Sequence, residues 1–375
     1  MNKLNELIHK LCPDGVEYKK IKDVFPRLRG TPITAAKMKE IESPDGEIRV
    51  FAGGKTVINA KVADIPNANI IRVPAVLVQS RGVIDVIYYE QPFTFKNEMW
   101  AYTADDKITV KFLYYVMKNN IQKFRDAASG MGSLPQISLS VTEDFKIPVP
   151  PKEVQSEIVR ILDNFTELSA ELSAELSARK KQFEYYRDQL LTFDENKIKF
   201  AKLADEVIVS RGVRVVKSQL ESSGEFPVYQ NSLTPLGYFN KYNCKATTPF
   251  VISAGAAGEI GYSHKEFWAA DDCLYFICGN NLNSRFLYFI LLEQSSFIHS
   301  KVRKASIPRL SRSVIENLKI PIPPIEEQER IVSILDRFDA LCNDISAGLP
   351  AEIEARQKQY EYYREKLLTF VLKQS

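Results

Sequence analysis

The side chains that ordinarily carry out covalent chemistry are sparse and scattered in this chain. His9, His264 and His299 have no second histidine or cysteine at metal-ligand spacing. Cys273 and Cys278 lie in an apolar run, where core thiols are found. The five cysteines (Cys12, Cys244, Cys273, Cys278 and Cys342) are odd in number and dispersed, which suits reduced thiols better than a disulfide framework. Gly53-Gly54-Lys55-Thr56 imitates the end of a phosphate-binding loop, but Arg49 stands where that loop needs its first glycine. No Asn/Asp-Pro-Pro-aromatic segment is present, so methyl-donor chemistry is not expected in this chain. These residues assemble no catalytic set.

What remains is binding chemistry, concentrated in glycine-punctuated segments rich in Arg, Lys, Gln and Asn. Three groups occur, each in two versions. The first is Arg27, Arg29, Gly30 and Thr31, with Arg211, Gly212 and Arg214 as counterparts. The second joins Phe51–Lys55 and Gln79-Ser80-Arg81 on one side to Tyr229, Gln230, Asn231, Ser232 and the Ser253–Gly258 segment on the other. The third sets Lys123, Arg125 and Gly130–Ser133 against Lys301, Arg303, Lys304, Ser306 and Arg309. Arg, Gln and Asn can form paired hydrogen bonds to base edges, and glycine lets backbone approach a phosphate closely. Between Glu293 and Glu316 there are five Lys or Arg and no acidic residue, the pattern of a phosphate-facing strip.

The doubling is a property of the whole chain. Ile147-Pro148-Val149-Pro150-Pro151 returns as Ile320-Pro321-Ile322-Pro323-Pro324, an offset of 173. At the same offset Ser133-Leu134-Pro135-Gln136-Ile137-Ser138 matches Ser306-Ile307-Pro308-Arg309-Leu310-Ser311, and Glu157–Phe165 matches Arg330–Phe338. The offset then becomes 177, where Phe183–Phe193 matches Tyr360–Phe370. This duplication predicts four segments: a variable module (1–151), a helical block (152–193), a second module (194–324) and a second block (325–375).

Proline pairs at 150–151 and 323–324 end extended segments and suit helix starts, with Glu153 and Glu326 near the positive helix end. Ile158, Leu162, Phe165, Leu168, Leu172, Leu176, Phe183, Tyr186 and Leu190 then recur at three- and four-residue steps, predicting one long amphipathic helix. Its partner stripe is Ile331, Leu335, Phe338, Leu341, Ile345, Ile353, Tyr360, Tyr363 and Leu367. The two blocks should pack antiparallel, with the modules at opposite ends of a rod and the C-terminal segment returning to the first module. Residues 167–178 repeat Glu-Leu-Ser-Ala three times, and one such copy adds roughly 6 Å of helix. Gly348 and Pro350 predict a kink or break in the second block.

This arrangement resembles the specificity (S) subunit of type I restriction-modification systems. The resemblance rests on Pro150-Pro151-Lys152-Glu153-Val154-Gln155-Ser156-Glu157-Ile158, its copy Pro323-Pro324-Ile325-Glu326-Glu327-Gln328-Glu329-Arg330-Ile331, and the tetrapeptide repeat, in their duplicated order. It covers essentially the whole chain. It implies an α+β protein in which two α/β target-recognition domains are separated by two long antiparallel helices, a coiled coil with pseudo-two-fold repeat. It also implies that each module reads one half of a split double-stranded DNA target, and that two methyltransferase subunits dock on the helices. Restriction/translocase subunits would join for cleavage, and S-adenosylmethionine, ATP and Mg would be held only by those partners. Two rival readings are the equivalent subunit of a type IIB-like enzyme and a coiled-coil scaffold with protein-binding ends.

Composition agrees with a globular, non-membrane protein, expected in the cytoplasm: 45% hydrophobic and 26% charged residues, with no run approaching ~18 apolar residues. The net charge of +3 conceals a partition. Residues 1–151 hold 21 basic and 17 acidic side chains and residues 194–324 hold 16 and 12, whereas 152–193 (6 and 8) and 325–375 (7 and 10) are net acidic. Basic modules on acidic helices are expected to need a partner's basic surface for tight DNA binding.

Overall fold

The computed structural model describes residues 2–54, 56–65, 67–129, 134–343 and 348–373. It contains two compact units, Met1–Glu171 with Ile353–Ser375, and Leu172–Glu352. Each unit therefore draws on both helical blocks.

In the first unit, a two-stranded pairing of Tyr18–Lys20 with Lys146–Pro148 brings the module's end back to its beginning. A four-stranded antiparallel sheet follows in the order Arg27–Leu28, Trp100–Tyr102, Ala75–Gln79, Asp85–Tyr89. Beside it lies a three-stranded sheet, Val57–Ala60, Ile48–Phe51, Phe93–Phe95, whose last pair is parallel. Every residue of Ala75–Gln79 is buried, as a strand between two neighbours and under a helix must be. That helix, Lys107–Asn119, is capped by Asp106, whose carboxylate accepts from the amides of Ile108 and Thr109. It lays Val110, Phe112, Leu113 and Met117 onto Val76, Val78 and Val86.

The second unit repeats this topology. Lys199–Lys202 pairs with Lys319–Ile322. The four-stranded sheet runs Val207–Arg211, Cys273–Cys278, Thr248–Ile252, Ile260–Ser263, and the three-stranded one Gly237–Phe239, Phe226–Tyr229, Trp268–Ala269. Asn283 caps the covering helix Ser284–Glu293. The modules thus share a strand order although most of their side chains differ.

The helical blocks form one helix of 40 residues, Lys152–Leu191, and two shorter ones, Ile325–Asn343 and Leu349–Leu368. The break predicted near Gly348 is present, with Pro350 in the first turn of the last helix, where its missing N–H costs nothing; residues 344–347, including Ile345 of the expected stripe, lie outside the described residues. The signature glutamines fasten the helix starts. Gln155 Nε2 donates to the Pro150 carbonyl and Gln328 Nε2 to that of Pro323, both at 2.8 Å.

The expected helix seam divides into two parts. Ile158 and Leu162 are fully buried in the core of the first module, and Ile331 and Leu335 in that of the second, so the opening turns face their modules as well as the other block. Further along, the blocks meet through aromatic stacks. Phe165 stacks on Tyr363 in the first unit (centroids 5.5 Å, planes 26° apart), and Tyr186 stacks on Phe338 in the second (5.5 Å, 25°). Phe165 and Phe338 are repeat equivalents, as are Tyr186 and Tyr363, so each unit pairs the Phe of one copy with the Tyr of the other. Leu172 is buried and Leu168 and Leu176 are half-buried, but Leu341 is 39% exposed and departs from the predicted stripe. The C-terminal segment returns to the first module, with Val16 and Val371 2.8 Å apart (N to O) and the Lys373 amide donating to Val16.

Candidate nucleic-acid interface

Backbone hydrogen bonds pin the second loop group to residues flanking the third group in the first unit, and to the segment that carries the third group in the second. In the first unit the Ile137 amide donates to the Ser80 carbonyl (2.9 Å), Gly82 to Pro135 (2.9 Å), Ser129 to Gln136 (2.9 Å) and Gly54 to Arg81 (3.2 Å). The second unit repeats them: Leu310 to Ser253 (2.8 Å), Gly255 to Pro308 (3.1 Å) and Arg303 to Arg309 (2.9 Å), with Ala256 donating to Asn231 (2.9 Å). Gly82 (φ 79°) and Gly255 (φ 88°) turn the chain in the left-handed region that glycine adopts without penalty.

The first group joins the same edge. A groove of about 510 Å³ in the first unit is lined by Arg27, Arg29 and Gly30 of the first group, Ser80 of the second, and Glu98 and Gln136. In the second unit Arg211 Nε donates to the Asp271 carbonyl (2.7 Å), while the Ser253 amide and hydroxyl both donate to that of Asp272. Gly30 and Gly212 are structural here: a Cβ at either would fall 2.0 Å from the Phe95 carbonyl oxygen or 2.1 Å from that of Ala270.

Four residues expected to face DNA instead build the loops. Thr31 is fully buried, its hydroxyl 2.7 Å from that of Thr94 and accepting from the Asn69 amide. Gln79 is buried and donates to the Gly54 carbonyl. Tyr229 packs its ring on Phe250 and Phe267 (4.9 and 5.5 Å). The Ser253 hydroxyl is committed to Asp272. Lys123 sits elsewhere, lining a cavity with Tyr18, Phe145 and Arg364 beside the last helix, and Arg125 Nε donates to the Ile84 carbonyl (3.1 Å). Lys55 and the segment Gly130–Ser133 lie outside the described residues.

Polar side chains exposed on the two loop clusters include Arg27, Arg29, Arg81 and Gln136 in the first unit, and Arg211, Arg214, Asn231, Lys301, Arg303, Lys304, Ser306 and Arg309 in the second; Gln230 is half-exposed. The units differ in charge pairing. Arg27 lies 3.5 Å from Glu143 and Lys96 3.2 Å from Glu98, whose carboxylate also accepts from the Gly53 amide. Among the described residues Arg211, Arg214, Arg303, Lys304 and Arg309 make no ion pair with a carboxylate. Sequence reasoning missed Glu98, Gln136 and Asp271. Gln136 was accessible from the repeat alignment, which sets it opposite Arg309.

A fold doubled in this way, with a loop cluster on each copy, is a strong handle for comparison. The family model described as "Type I restriction modification DNA specificity domain" matches residues 13–179 and 195–355. The chain belongs to this specificity family. The type I restriction enzyme EcoR124I/EcoR124II specificity subunit of Escherichia coli is 34% identical over 298 residues, covering 71% of this chain and 72% of that protein. The type I restriction enzyme MpnII specificity subunit of Mycoplasma pneumoniae is 32% identical over 311 residues, covering 64% of this chain and 93% of its own. The fold is that of the solved type I restriction-modification system S subunit from M. genitalium, with TM-score 0.69 at 18% identity over 94% of this chain and 96% of that one. The specificity family thus accounts for the doubled α+β architecture, and both of its matched segments contain a loop cluster.

Proposed function

We propose that this chain is the DNA-reading subunit of a type I restriction-modification complex, with each module recognising one half of a bipartite duplex target. The observation that carries this reading is the matched pair of loop clusters, each offering Arg with Gln or Asn from a rigid sheet edge. Arg pairs with guanine O6 and N7, and Gln or Asn with adenine N6 and N7, in the major groove. The helical blocks set the distance between half-sites and dock two methyltransferase subunits. A 40-residue helix extends about 60 Å, against ~34 Å for one turn of B-DNA. The chain itself supplies recognition. S-adenosylmethionine, ATP and Mg belong to the methyltransferase and restriction/translocase subunits. A chain at TM-score 0.55 and 15% identity comes from work on complex assembly and conformational transition of the type I R-M system. No helix among the described residues is long and apolar enough to cross a membrane.

The test is methylome sequencing of cells carrying this chain and its companion methyltransferase. The expected result is one methylated motif made of two short half-sites at a fixed gap. Deleting Glu171–Ala174 removes one tetrapeptide, roughly 6 Å of helix, and should shorten the gap by about one base pair. A continuous motif, or an unchanged gap in the deletion, would overturn the proposal.

A further inference from the structure

The two loop clusters share a feature that hydrogen-bonding recognition leaves unused. Leu134 and Ile307 are 50% and 54% exposed, large aliphatic side chains beside Gln136 in one loop and beside Arg303, Lys304 and Arg309 in the other. They are repeat equivalents, separated by the same 173 residues as their neighbours. Flanking residues have changed between the copies, Gln136 to Arg309 and Arg81 to Ala254, while the bulky aliphatic has stayed.

The backbone on the C-terminal side of each is held firmly. Pro135 and Pro308 follow directly, with φ restricted by the ring, and their carbonyls accept from Gly82 and Gly255. One residue further, Gln136 and Arg309 bridge to Arg81 and Ala254 on one side and to Ser129 and Arg303 on the other. The aliphatic side chain is thereby presented from backbone fixed on its C-terminal side, next to cations able to bind the phosphates around it.

We propose that Leu134 and Ile307 are apolar wedges, one per half-site, each of which enters a base step of the bound duplex and opens its stacking. A branched aliphatic group beside a base pair has no hydrogen bond to offer. Inserted into a step it kinks the duplex, exchanging stacking energy for wider contact between DNA and the loop cluster. The flexible pyrimidine–purine steps are the ones that open most readily, so each wedge adds sequence preference at a position that no polar side chain reads. This inference rests on the reading that the chain binds a bipartite DNA target.

The experiment uses the complete chain assembled with its methyltransferase subunits. The probes are duplexes of the methylome-defined target carrying 2-aminopurine at successive positions other than the methylated adenine. Binding should brighten one step in each half-site. Leu134→Ala should abolish the signal in one half-site only and Ile307→Ala in the other only, each with about 10-fold weaker binding to the target and an unchanged salt slope. Both substitutions remove exposed side chains, and co-purification with the methyltransferase subunits checks that the variants assemble. Tight binding with no brightened step would overturn the wedge, as would brightening that survives both substitutions. Loss of affinity reproduced by replacing thymine with uracil would replace it with a methyl contact. Variants that no longer assemble would assign the two residues to a protein interface. If the unaltered complex shows no preference for the target over random duplex, the DNA-reading proposal itself fails, which is a separate result.

Discussion

Arg285 is the most heavily committed cation in the second unit, and its removal should be costly in a calculable way. Its side chain is 10% exposed, with Nε 2.7 Å from Asp336 and a terminal nitrogen bonded to Asp339. The guanidinium carbon lies 4.6 Å from the ring centroid of Tyr262 and 4.7 Å from those of Tyr288 and Phe289. It thus ties the module helix Ser284–Glu293 to the helix Ile325–Asn343. Breaking a buried ion pair costs about 3–5 kcal/mol when the surviving charge stays dry. Asp336 is 44% exposed and Asp339 20%, so much of that charge regains water, and about half the cost applies. Loss of the cation over three rings adds about 1 kcal/mol. The expected destabilisation for Arg285→Ala is about 3 kcal/mol, and smaller for Arg285→Lys, which keeps the charge without the planar fork. Each unit holds one tryptophan, Trp100 and Trp268, so urea unfolding followed by Trp268 fluorescence in a Trp100→Phe background reads the second unit. With a slope near ~2 kcal/mol per molar urea, the midpoint should fall by about 1.5 M. A shift worth less than about 0.5 kcal/mol, or none in the cycle with Asp336→Asn, would refute the reasoning. In the first unit Lys111 and Tyr115 bind Asp163, the repeat equivalent of Asp336, at 2.7 and 2.5 Å.

Other consequences can be checked directly. Glu157 is buried, and the hydrogen-bonded Arg160 guanidinium, with Lys3 adding to it, holds its carboxyl down to about 2 against burial, which opposes the shift. Because the folded value lies below the unfolded one, the pair stabilises above about pH 4.5 and is lost as pH falls toward about 2. The difference in urea stability between the unaltered chain and Glu157→Gln should therefore be full at pH 7 and vanish near pH 2; a pH-independent difference would count against it. Burial raises the thiols of all five cysteines, Cys244 and Cys278 to about 12, so a disulfide thiol reagent at pH 8 should modify the native chain far more slowly than the unfolded one. Equal rates would be incompatible with the buried positions. Substituting Arg303 and Lys304 with Ala should weaken binding of the complex to any duplex and lower the salt slope by up to about 2, with parallel slopes arguing against phosphate contacts.

Much of the architecture was legible because its signals are local or self-referential. Helix periodicity over 158–190 depends only on spacing along the chain, and the 173-residue offset compares the chain with itself. Together they located the helical blocks, the duplicated modules and the proline-glutamine signature, whose glutamines turn out to fasten each helix start. The loop clusters were legible as composition: residues of the first two groups line one groove of the first module, whereas Lys123 of its third group lies beside the last helix.

Which side chain faces outward was decided by tertiary structure. Thr31, Gln79, Tyr229 and Ser253 stand in polar, glycine-rich segments, and nothing in their neighbours distinguishes a hydroxyl turned to solvent from one spent on Thr94 or Asp272. The partner of each lies between 19 and 63 residues away in the chain for Thr31, Gln79 and Ser253, brought close only by the strand order. Leu134 and Ile307 show the converse: an aliphatic pair kept in the repeat is half-exposed in the folded chain. Sequence spacing determines the elements and their duplication, because backbone periodicity and self-similarity are properties of the chain alone. Exposure is a property of long-range packing, so only the folded modules select the residues that can meet a ligand.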